Sequence, residues 1–181
     1  MTQKDFNKKL TKQLSSLPAY RTVEFGLYVC RKLYPDYVFF SVRNQWGDAN
    51  LLQEAIDYCD ANKHLKDIKN FNTQRLIGAV DIITPDTEDF GDWDGSYALN
   101  ACTAVLDLLG YLIDGDVSHA INISSYVTDT IDFQLQEADS TLTHLQLINH
   151  PLIKEEQEYQ LRITKPDSSL LNKIIQWIKG G

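Results

Sequence analysis

A chain of 181 residues, 43% hydrophobic and 23% charged, is long enough to bury one core without staples and falls in the size range of a single domain. Its formal net charge of −8 argues against a nucleic-acid binder, because affinity for phosphate backbones rests on clustered Lys and Arg. The cysteines Cys30, Cys59 and Cys102 are odd in number and widely spaced, so they read as small buried hydrophobes of a reducing compartment rather than as a disulfide framework.

The first predicted element is an amphipathic helix with Phe6, Leu10 and Leu14 on one side and Lys4, Lys8, Lys9 and Lys12 facing water. No apolar run behind these lysines forms a signal core, and no stretch approaches the ~20 apolar residues that span a bilayer. The expectation is a cytoplasmic protein without a membrane partner. A second helix carries Val23, Leu27, Cys30 and Tyr34 and is expected to stop at Pro35, which cannot donate the next hydrogen bond. The patch YPDYVFF that follows reads equally as a strand or a buried helical turn.

Asp48 is a good N-cap for a third helix bearing Leu51, Leu52, Ala55, Ile56 and Cys59. Asn72 or Thr73 would cap a fourth, with Leu76, Ile77, Val80 and Ile83, ended by Pro85. The segment DTEDFGDWDGSY, residues 86–97, holds five acids in twelve positions; within it Asp94 and Ser96 are candidate N-caps for the next helix. That helix has Leu99, Cys102, Leu106, Leu109 and Ile113 on one side, widened by Val105, Leu108 and Leu112, with Asn100, Thr103, Asp107 and Asp114 as a polar seam. Such breadth marks a central helix. After the turn DGDVSH a long helix carries Ala120, Ile121, Val127, Ile131 and Leu135 opposite His119, Asn122, Asp129, Asp132 and Gln136, which makes an antiparallel helical hairpin. HPLIKEEQEYQLRI then places Pro151 at a helix start with Glu155 and Glu156 near the positive end of its dipole. A last short helix is expected over Leu170, Leu171, Ile174, Ile175 and Ile178. The sum is an all-α single domain over residues 1–181, a bundle of about seven to nine helices.

Several pieces in order, LPAYRTVEFGLYVCRKLYPDYVFF, WGD with LLQEAIDYC, PDTEDF, YALNAC, LIDGD and HPLIKEEQEYQ, resemble the uncharacterised bacterial family catalogued as domain of unknown function 416, the YjaG family. The resemblance implies a small helical bacterial protein and carries no activity, ligand or catalytic residue with it. The chain departs from the family pattern at Tyr58-Cys59-Asp60 and at Gly180-Gly181.

Chemistry-bearing motifs are sparse. Setting Asp92, Asp94 and Gly95 in the EF-hand register leaves Phe90 and Ala101 where the first and last ligands belong, so that template fails. His64, His119, His144 and His150 are scattered, without HExxH or paired Glu-x-x-His. Nucleophile elbows and glycine-rich phosphate loops are missing. No catalytic residue, metal ligand or cofactor is assigned. Two readings stay open. The first is a non-catalytic interaction domain that binds a protein partner or its own copy, neutralising a basic partner as immunity proteins do. Its surface would centre on Asp89, Asp92, Trp93 and Asp94 with Tyr34 and Tyr37, since Trp and Tyr anchor interfaces and complementary charge speeds association. The second is an enzyme or small-ligand binder with a carboxylate-lined, metal-dependent or metal-free pocket between helices, for which Glu24, Asp48, His150 and Glu156 are the candidates. For Glu24 a solvated position is expected, because Glu is rarely buried unpaired.

Overall fold

The helical periodicity of the sequence is realised as helix throughout the computed structural model, which describes residues 1–64 and 71–165. Among them stand α1 (Gln3–Leu14), α2 (Ala19–Asn44), α3 (Ala49–Asn62), α4 (Phe71–Ile82), α5 (Trp93–Asp114), α6 (Val117–Ala138), α7 (His144–Ile148) and α8 (Pro151–Ile163), and no strand. The fold is an all-α bundle around one apolar core. The expected helix at Leu170–Ile178 lies outside the described residues.

Local signals set most of the helix starts. Thr2 and Asp5 form a reciprocal capping box on α1, whose Phe6, Leu10 and Leu14 are each 1% exposed. Asp48 caps α3 by accepting from Leu51 N at 3.0 Å. His150 caps α8, with Pro151 in its first turn. The α5–α6 hairpin turns on Gly115, in the left-handed region at φ 69°, and Asp116 then caps α6.

Four expectations need correction. α2 does not stop at Pro35; it runs on to Asn44, and YPDYVFF is helix. A proline inside a helix costs about 3 kcal/mol, but its ring here lies exposed, and burial of Leu33, Tyr37 and Phe40 on the other side outweighs the lost backbone bond. Asn72 and Thr73 do not cap α4 but lie within it, and Thr73 is buried. The cap of α5 is Asp92, which accepts from Gly95 N at 3.0 Å, so Trp93 is the first helical residue and Asp94 lies in the first turn. The buried face of α5 is centred on Ala98, Ala101, Cys102, Val105, Leu108, Leu109 and Leu112, while Leu99, Leu106 and Ile113 are only half-buried.

α5 packs most extensively against α2 and α6. By length and composition it is apolar enough to cross a bilayer, yet 61% of its apolar window is buried inside the bundle, which accounts for that composition by packing. Its polar seam turns inward at Asn100 and Asp107, while Asp114 at its end is exposed. Asn100 donates to Thr130 Oγ1 at 3.0 Å, and Asp107 receives both the Tyr126 hydroxyl, at 2.8 Å, and the His119 ring, at 2.6 Å, from α6. Cys30, Cys59 and Cys102 are free and buried. Burial raises all three thiols, Cys102 to about 12, so they remain protonated fillers.

Candidate functional site

The patterning of α8 repeats a face at Leu152, Glu155, Glu156 and Tyr159, and α2 places Tyr28 and Lys32 one turn apart. These two faces meet across Ile131 and Gln134 of α6 and enclose a cleft of about 410 Å³. Ligand pockets commonly run about 300–1,000 Å³, mostly apolar with a few convergent polar groups. Here Ile131, Leu152 and the two tyrosines supply the apolar wall; Lys32, Gln134, Glu155 and Glu156 supply the polar groups.

Glu156 is the centre of the polar set. It is 4% exposed, and a buried carboxylate persists only when charge and hydrogen bonds replace its water. Its oxygens accept from the Tyr28 hydroxyl at 3.1 Å, from Gln160 Nε2 at 2.9 Å and from the Lys32 ammonium. Gln160 is in turn held by α6: its Oε1 accepts from Ser124 Oγ and its Nε2 reaches the Ser124 carbonyl at 3.3 Å. Burial, and after it the Glu156 charge, pushes the Tyr28 phenol far above its ordinary range. Tyr28 therefore stays a donor. Its ring lies 4.9 Å from that of Tyr159, over which Arg162 is placed at 4.8 Å. Burial likewise raises the Tyr159 phenol, with Arg162 opposing.

The sequence candidates divide. Glu156 and its neighbour Glu155 line the cleft, and Glu24, Asp48 and His150 do not. The dipole explanation of these glutamates fails: the first turn of α8 holds no acid, and Glu156 points inward. Glu24 is 8% exposed rather than solvated; Arg21 at 3.6 Å and Lys63 at 3.8 Å bracket its carboxylate. Lys63 also binds Asp60, which Arg31 contacts at 2.9 Å from α2. Partial burial works against the Asp60 charge, but those hydrogen bonds hold it below the usual carboxylate value. Asp48 and His150 are spent as helix caps.

The acidic loop is anchored by Phe90, not by Trp93. Phe90 packs at 5.0 Å against two rings, edge-on to Phe40 and tilted against Trp46, whereas Trp93 is 37% exposed and rests its ring 5.9 Å from Phe133 of α6. Asp94 pairs with Arg43, which also reaches Asp92 at 3.4 Å; Asp89 is exposed. Tyr37 leaves the surface set, being fully buried with its hydroxyl bonded to the Ile83 carbonyl at 2.9 Å and to Asp48 N at 3.2 Å. Tyr34 is half-buried and donates to the Ala49 carbonyl. Among the described residues no three His, Cys, Asp or Glu side chains converge as a metal site. Tyr28, Lys32, Ile131, Gln134, Leu152 and Tyr159 were not singled out from sequence. The available signal was the spacing of aromatic and charged residues on one face of α2 and of α8.

These features define a class: a helical bundle with a cleft between α2, α6 and α8 that holds the Lys32–Glu156 pair and an exposed Glu155. The chain belongs to the family described as protein of unknown function (DUF416), whose model matches residues 9–179. It is 26% identical over 172 residues to the protein YjaG of Salmonella typhimurium and, to the same extent, to YjaG of Escherichia coli, covering 93% of this chain and 86% of each relative. The crystal structure of a DUF416 family protein from Shewanella baltica superposes with a TM-score of 0.75 at 23% identity, over 94% of this chain and 93% of that one. That likeness is one of fold.

Proposed function

We propose that the protein is a non-catalytic receptor for a small organic ligand, held in the cleft between α2, α6 and α8. The observation that supports this is Glu156, a nearly buried carboxylate kept at the cleft by Tyr28, Lys32 and Gln160. A bundle needing only stability gains little from such a pair, since well-packed apolar residues do as well or better. The groups are arranged to receive rather than to react: Tyr28 keeps its proton and the Lys32–Glu156 pair is internally neutral. The test is a fragment screen read by amide chemical shifts and thermal unfolding. Ligands should perturb Tyr28, Lys32, Gln134 and Glu155, and at a hundredfold excess over Kd should raise Tm by roughly 5–10 °C. Leu152→Trp, at an exposed position on the cleft wall, should abolish both effects. A screen in which no compound shifts the cleft overturns the reading.

A second reading, of a cytoplasmic interaction domain for a basic protein or for a second copy, is favoured by the Trp93 edge. There a large ring stands 37% exposed beside exposed Asp89 and Asp92. Light scattering that gives only monomer, together with a pull-down that recovers no stoichiometric partner, would remove it.

A further inference from the structure

The charges that the cleft leaves unspent specify what it would hold. An ammonium carries three hydrogens; those of Lys32 reach the Glu156 carboxylate and, at 3.4 Å, the Tyr28 oxygen. Its side chain is 41% exposed and lines the cleft, so one hydrogen remains open to an incoming acceptor. Glu155 lines the same cleft from an exposed position. No described cation lies within ion-pair distance of it. One cation with an open donor and one carboxylate without a described cation thus share a space whose remaining wall is Ile131, Leu152 and the Tyr28 and Tyr159 rings, with Gln134 and the paired Glu156 as its other polar groups.

We propose that the ligand is a zwitterion of the α-amino-acid class, its carboxylate on Lys32, its ammonium on Glu155 and its apolar side chain against Ile131, Leu152 and Tyr159. This rests on the cleft being a ligand site. A simple anion on Lys32 would also meet Glu155 and Glu156, and a simple cation on Glu155 would also meet Lys32; like charges brought that close repel. A molecule bearing both charges sets its ammonium against Glu155 and its carboxylate against Lys32, and adds no net charge. The apolar wall favours amino acids with hydrocarbon side chains over polar ones.

The experiment is titration of the full-length protein with L-leucine and L-phenylalanine, alongside N-acetyl-leucine and leucinamide, followed by amide chemical shifts. The free amino acids should shift Lys32, Gln134 and Glu155, and each capped form, having lost one charge, should bind about tenfold or more weakly. Glu155→Gln breaks no ion pair among the described residues, so it carries the decisive arm. It should weaken the free amino acids about tenfold, while N-acetyl-leucine, an anion relieved of one like charge, should bind at least as tightly as before. Equal binding of free and capped forms, or no response to amino acids while other fragments shift the cleft, overturns the zwitterion and leaves the ligand site standing. Silence toward every class of compound overturns both.

Discussion

Tyr37→Phe is the sharpest test of how this bundle is held together. The ring is fully buried, so the substitution leaves packing nearly unchanged and removes one oxygen. That oxygen donates to the Ile83 carbonyl, at the end of α4, and accepts from Asp48 N, at the start of α3. Ile83 is buried, and without Tyr37 its carbonyl keeps only the long contact from Cys102 Sγ at 3.7 Å. A buried acceptor left in that state costs about 1–3 kcal/mol. Asp48 is exposed, so water replaces part of the second bond, and its loss adds about 0.5–1 kcal/mol. The expected destabilisation is about 1.5–4 kcal/mol, or a fall in Tm of roughly 3–16 °C for a chain of this size. Urea unfolding followed by circular dichroism measures it, with Tyr34→Phe as the control. Tyr34 makes one bond from a half-buried position and should lose about 1 kcal/mol. A Tyr37→Phe variant within about 0.5 kcal/mol of the parent, in the range of ordinary surface changes, would refute the claim that this hydroxyl ties three helices.

Gly47→Ala attacks the same junction from the other side: the residue has φ +76° and an added Cβ would sit 2.3 Å from the Tyr37 hydroxyl, so a loss of about 2–4 kcal/mol is expected in urea unfolding. His119 makes stability depend on pH. Burial opposes its charge, but hydrogen bonds and charge from Asp107 and Asp114 outweigh this and raise its pKa above 6.5. A raised folded-state value means that its contribution is fully present below the unfolded pKa and is lost as pH rises through the folded one. The stability gap between the parent and His119→Gln should therefore be largest near pH 5 and shrink above about pH 6.5; a constant gap contradicts the assignment. Glu156→Gln should unfold near the parent, whereas Glu156→Leu strands the Tyr28, Lys32 and Gln160 donors and should cost about 1–3 kcal/mol, less than a fully buried pair because Lys32 reaches water. Urea unfolding of the two variants side by side checks this.

What could be read in the sequence was what is decided locally. The α1 face of Phe6, Leu10 and Leu14, the Asp48 cap and the Gly115 turn depend on residues within a few positions of one another, and each was legible. Pro35 was misread because the energy that carries α2 through it comes from Leu33, Tyr37 and Phe40 packing on distant helices. Glu24 was misplaced for a related reason: Lys63, which helps make its burial tolerable, lies beyond the end of α3. The cap of α5 was displaced from Asp94 to Asp92, since either aspartate satisfies the local rule and Arg43 of α2 takes up the other. At the cleft, Glu156 was legible as a candidate, but its partners Tyr28 and Lys32 lie more than a hundred positions earlier in the chain, and no local pattern joins them.

The three interior thiols give the chain a kinetic memory of its own opening. Cys30, Cys59 and Cys102 sit on α2, α3 and α5, each at 1% exposure or less and each protonated. Alkylating or oxidising reagents should find them only in molecules whose packing has come apart, since the attacking species is an accessible thiolate. An adduct on any one would then be too bulky to return to its place between the helices. Each opening in such a reagent becomes a one-way exit, so the rate of thiol loss counts excursions from the native state without any engineered label.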